Sequence, residues 1–100
     1  MEVMMKLADY KMLPTEMPKG VQAILDFGDY ELSIIQNESS YGNNQGLYEI
    51  AVFKGSDQVE MPGITAEGDT VKGFLTEEDV NVILKKMYLI TGKMPEQVFG

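Results

Sequence analysis

The side chains in this sequence that could do chemistry are carboxylates and hydroxyls, and neither is spaced to build a recognisable centre. Asp57, Glu60, Glu67 and Asp69 lie close together in the chain and raise the question of calcium. A helix–loop–helix calcium loop needs oxygens at alternate positions, a mid-loop glycine and a terminal glutamate. That spacing is missing, so these acids are expected to be solvated loop charge. Paired carboxylates can also hydrolyse glycosidic bonds, but sixteen acids offer so many pairs that none is singled out. Ser33, Ser39, Ser40 and Ser56 are the candidate nucleophiles. Each would need a lysine or carboxylate as its base, and none sits in a strand–turn–helix elbow.

The absent residue types narrow the chemistry further. There is no histidine, which removes the commonest general base and transition-metal ligand. There is no cysteine, which removes disulfides, thiolate nucleophiles and structural zinc sites. There is no arginine, so the planar fork that grips phosphates and guanine edges is missing. Sixteen acids against eight lysines give a net charge of −8, which opposes general binding to nucleic acid or anionic membranes. No catalytic activity, cofactor or metal is expected. No apolar run approaches the ~18 residues of a membrane span, and Met1 to Met5 followed by Lys6 does not resemble a signal peptide.

Contact chemistry is the remaining candidate. Tyr41, Asn43, Asn44 and Gln45, with Leu47 and Phe53 beyond them, form the most distinctive candidate interaction surface. A tyrosine there supplies amphipathic area and the amides supply adaptable hydrogen bonds.

The elements that must position such a surface are legible from periodicity. One hundred residues fit a single domain, and 44% hydrophobic with 24% charged residues argues against global disorder. Residues 1–20 hold five of the eight methionines with Pro14 and Pro18 and show no sustained period, so they are expected to form an irregular N-terminal arm. Val21, Ala23, Leu25 and Phe27 then alternate with Gln22, Ile24 and Asp26, a half-buried strand. Gly28-Asp29 suits a type II′ turn, and Tyr30, Leu32 and Ile34 form the apolar side of the next strand. Residues 37–46 read as an exposed loop. Leu47 to Phe53 is apolar on both sides, with Tyr48, Ile50 and Val52 on one face, and belongs near the sheet centre. Gln58 to Met61 is a candidate fourth strand before Pro62-Gly63.

A helix follows. Thr76 can cap it, Asp79 completes a capping box, and Glu77 and Glu78 face the positive dipole end. Val80, Ile83, Leu84, Met87 and Ile90 form the apolar stripe, Gly92 suits the left-handed C′ position, and Pro95 prevents continuation. The expected fold is therefore α+β: an antiparallel sheet of three to four strands with one C-terminal helix packed on one face. Residues 21–92 form the domain and 93–100 a tail. One helix shields one face of the sheet. Ile35, Leu47, Ala51 and Phe53 on the other face call for a cover, either the arm or a second subunit in a homodimer.

With these elements placed, a family resemblance emerges. Tyr30, Ser33, Ser40-Tyr41-Gly42 and the run Gly46-Leu47-Tyr48-Glu49-Ile50-Ala51-Val52 resemble the core of a set of small proteins encoded by tailed bacteriophages and prophages. Ile64-Thr65, Asp69, Val71, Gly73, Leu75-Thr76 and Val80 keep the order of that pattern over residues 27–90. The chain departs from it with Phe27-Gly28-Asp29 where an Asn-Gly turn is more usual. That group has no assigned activity, so the resemblance implies a genomic setting rather than a mechanism. It points to an accessory protein acting by protein–protein contacts in the host cytoplasm. The alternatives are a minor structural component of the phage particle and an acidic mimic of nucleic acid that blocks a host nucleic-acid-binding protein.

Overall fold

The computed structural model describes residues 6–16, 18–37 and 45–93. A short 3-10 turn, Leu7–Asp9, precedes strands β1 (Leu13–Glu16), β2 (Lys19–Asp26), β3 (Tyr30–Asn37), β4 (Tyr48–Lys54), β5 (Asp57–Val59) and β6 (Val71–Leu75), and helix α1 (Glu77–Thr91) closes the chain. All strand pairs are antiparallel, in the order β1-β2-β3-β4. The far side of β4 is shared: β5 pairs with its end at Val52–Lys54, and β6 pairs with its start at Tyr48–Ala51. The fold is α+β, with a longer sheet than the three to four strands expected.

Period two in the sequence becomes a core by simple register. Ala23 faces Ile34 and Ile34 faces Ile50; Leu25 faces Leu32 and Leu32 faces Val52. These residues share one side of the sheet and are buried together with Val80, Ile83, Leu84 and Met87 of α1. The β2–β3 turn has Gly28 at a φ of 90° and no positive φ at Asp29, the signature of the type II′ turn. Asp26 Oδ1 accepts from the Gly28 N–H at 2.8 Å. At the helix start, the Asp79 N–H donates to Thr76 Oγ1 at 3.1 Å and the Thr76 N–H to Asp79 Oδ2 at 3.0 Å. The Thr76 N–H and hydroxyl, with help from Lys72, hold the Asp79 carboxyl below the usual carboxylate range. Gly92 ends the helix at a φ of 71°.

Four expectations need correcting. The arm is not irregular between residues 7 and 16. Leu7 is buried, its N–H donates to Asn81 Oδ1 at 2.8 Å, and the Tyr10 and Tyr88 hydroxyls share a hydrogen bond of 2.8 Å. Beyond this clasp β1 joins the sheet edge, where Pro14 has no ladder partner to disappoint on its outer side. The boundary at residue 20 consequently falls inside β2. At the other end, β6 is a strand that the sequence pattern conceals, because Phe74 adopts a φ of 57° and a register shift between Tyr48 and Ile50 breaks its alternation. The fourth expected strand stops at Val59; Met61 instead anchors a loop in which its N–H donates to Thr65 Oγ1 at 2.9 Å. Finally, Ile90 is 53% exposed while Tyr88 is buried. The inward direction set by Val80, Leu84 and Met87 leads on to Tyr88 and Thr91, which leaves Ile90 on the flank.

Candidate functional site

The side of the sheet opposite α1 is a continuous, mixed surface that no described element covers. Register assigns it three rows. The first runs Leu13–Gln22–Ile35–Glu49 across β1 to β4, and the second Ile24–Ser33–Ala51–Val71 across β2, β3, β4 and β6. The third runs Asp26–Glu31–Phe53–Gln58 across β2 to β5. Ile35, Ala51, Phe53 and Val71 are half-buried by their neighbours, and Leu13 and Ile24 are exposed. The centre forms a shallow depression of about 300 Å³ that includes Gln22, Ser33, Ile35, Ala51 and Phe53 in its lining.

The polar groups on this face are held in place. Gln22 Nε2 donates to Ser33 Oγ at 3.0 Å across β2 and β3, and Gln58 Nε2 donates to Thr70 Oγ1 at 2.7 Å. These bonds fix amide positions between apolar patches, a composition suited to a protein contact. Asp26 and Glu31 face each other directly, a like-charge pairing that costs stability in an antiparallel ladder. The described strand positions of this face hold three acids, Asp26, Glu31 and Glu49, and no lysine.

The sheet edges offer less. β1 carries Pro14, and on the β6 side the Ala66 N–H occupies the Val71 carbonyl at 2.9 Å. Phe74, at a φ of 57°, sits where the β4–β6 register shifts. Proline, a bulge and a covering loop are the devices that keep an edge from pairing with another chain.

The residues singled out from sequence separate into three groups. Phe53 lies on the open face, and Leu47 is half-buried just ahead of β4. Gln45 is exposed beside it. Tyr41, Asn43 and Asn44 lie outside the described residues, as do Ser39 and Ser40. Of the other serines, Ser33 is buried mid-strand as the acceptor of Gln22, and Ser56 sits in the β4–β5 turn. Glu60 Oε2 accepts from the Gly68 N–H at 2.7 Å, and Asp69 Oδ1 from the Thr70 N–H at 2.7 Å, so both acids serve their loop. Among the described residues no three metal-binding side chains converge. No described helix is long and apolar enough to cross a membrane.

No family model, curated protein or solved structure matches this chain. The open face must be interpreted from its own chemistry. Gln22, Ile24 and Glu31 were not recognisable as site residues from sequence, and Ser33 was singled out only as a candidate nucleophile. Their signal was present only as the outward half of each alternation, and which outward positions become neighbours is decided by register.

Proposed function

We propose that this chain is a small phage-type accessory protein without catalytic activity, which works in the host cytoplasm through protein–protein contacts made by the open face of its sheet. The observation that carries this reading is the row structure of that face. Apolar Ile24, Ile35, Ala51 and Phe53 lie among two anchored amides, Gln22 and Gln58, across β2 to β5, over a surface that no described element covers. Apolar side chains gathered on one face, with Leu13 and Ile24 exposed, mark contact surfaces more often than scattered ones do. Residues 6–16 do not supply the cover, since they lie along the sheet edge and against α1. The blunted edges favour contact through the face over strand addition.

Affinity capture from infected cells tests the reading, with the wild-type chain and Phe53→Lys as paired baits. The expected result is a host protein retained by the wild type and lost by the variant. Recovery of capsid or tail proteins would favour a structural role in the particle, and a partner displaced by DNA would favour nucleic-acid mimicry. Equal capture by both baits would contradict any role for this face.

A further inference from the structure

The outer side of α1 carries a second apolar patch, where Lys72, Lys85 and Lys86 outnumber the acids Glu78 and Asp79, while the open sheet face holds acids and no lysine at its described strand positions. Phe74 is 58% exposed, Val82 52% and Leu89 69%. Phe74 and Val82 share a depression of about 310 Å³ with Lys72 and Lys86. Lys85 and Lys86 are exposed between Val82 and Leu89. Phe74 keeps its position at a φ of 57°, a region that costs a bulky residue strain and is retained where something over-determines it. Acids do reach this side: Glu78 lies one turn before Val82, and Asp79 lies beside Lys72. Lys86 also donates to the Gly63 carbonyl at 3.1 Å. Lys85, flanked by Val82 and Leu89, is the cation placed to meet another molecule.

The two patches lie on opposite sides of a domain whose shortest extent is 22 Å. One presents apolar groups with three lysines and two acids, Lys85 being the cation set between Val82 and Leu89. The other presents Ile24, Ile35 and Phe53 with the facing acids Asp26 and Glu31, whose mutual repulsion an incoming cation would relieve. Two copies joined sheet to sheet would set acids against acids. Joined helix to sheet, they would set lysine against acid and apolar against apolar.

We infer that the occupant of the open sheet face is a second copy of this chain, docking the outer face of its α1 so that the chains associate head to tail. This rests on the proposal that the open face is a contact surface, and it names the partner. Such an interface is heterologous: each copy keeps one unused patch of each kind, so association continues into a ring or filament rather than closing at two. Because opposite charges take part, association weakens as salt screens them.

The test is light scattering on the full chain with one variant per face. Ile24→Lys alters the sheet face at an exposed position. The double substitution Val82→Glu with Lys85→Glu alters the helix face at two exposed, helix-compatible positions. Circular dichroism and melting confirm that each variant is folded. The wild type is expected to exceed its 11.2 kDa monomer mass increasingly with concentration. Each variant alone is expected to stay at the monomer mass. An equimolar mixture of the two should give a species of twice that mass, because each supplies the face the other lacks. A wild type that remains a monomer at all concentrations overturns the inference. So does a mixture that stays monomeric beside an associating wild type, since complementary faces should restore docking, and so does association of the helix-face variant alone, which belongs to sheet-to-sheet pairing. Should the wild type be monomeric while Ile24→Lys still loses a captured host protein, self-docking fails and the contact-surface reading survives.

Discussion

The two faces of this sheet are built from the same strands by the same alternation, yet they have opposite fates. Toward α1 the alternate residues include Ala23, Leu25, Leu32, Ile34, Ile50 and Val52, all buried, with Tyr30 and Tyr48 half-buried against them. Away from it the intervening residues are Gln22, Ile24, Glu31, Ser33, Ile35, Ala51 and Phe53, a mixture of apolar, amide and acid. Packing accounts fully for the first set and leaves the second over-supplied with apolar groups for a solvent face. The difference teaches that one alternation answers to the core, while the outward set is, on the reading proposed above, left for a partner. It also separates what each face should do when mutated.

The core face should be the more sensitive by a wide margin. Leu84→Ala, at a position with no solvent exposure, is expected to cost about 2–5 kcal/mol by chemical denaturation, through lost transfer energy and the cavity left behind. A loss below about 1 kcal/mol would mean that α1 does not seal this face as described.

The helix cap comes next. Thr76→Ala removes the acceptor of the Asp79 N–H and is expected to destabilise by roughly 0.5–2 kcal/mol. Glu77→Ala, which touches only the dipole, should cost less. Denaturation curves showing the reverse order would relocate the helix start.

The clasp between Tyr10 and Tyr88 gives a smaller effect with a pH signature. Burial, and then the hydrogen bond to Tyr10, push the Tyr88 phenol well above its ordinary value near 10. The fold therefore retains a proton that the unfolded chain releases. Stability from this source is complete below about pH 10 and falls as the pH rises beyond it. Tyr88→Phe is expected to cost about 0.5–1.5 kcal/mol at neutral pH and to flatten the decline in alkali. Melts across pH 8 to 11 that keep the wild-type slope in Tyr88→Phe would assign the alkaline loss to other groups.

How much of this was legible in the sequence follows from how local each signal is. The helix and its cap were readable because Thr76, Asp79 and Gly92 act within one turn of themselves. Strands β2 and β3 were readable from their alternation, and β4 from a run that is apolar on both sides. β1 was hidden by Pro14, which demotes a strand to an edge, and β6 by Gly73 and by the left-handed Phe74. Of the candidate surface, Phe53 was found because an apolar residue on the second side of a central strand demands a neighbour. Gln22, Ile24 and Ser33 became its neighbours only through the β2–β3 and β3–β4 registers.

The most direct measurement sets stability and contact side by side in Ile24→Lys, whose position is 47% exposed on the open face. The variant's unfolding free energy is expected to stay within about 0.5 kcal/mol of wild type, while its concentration-dependent rise in light-scattering mass disappears. A variant destabilised as severely as Leu84→Ala, or one that associates like wild type, would contradict the division of the sheet into a face that folds and a face that binds.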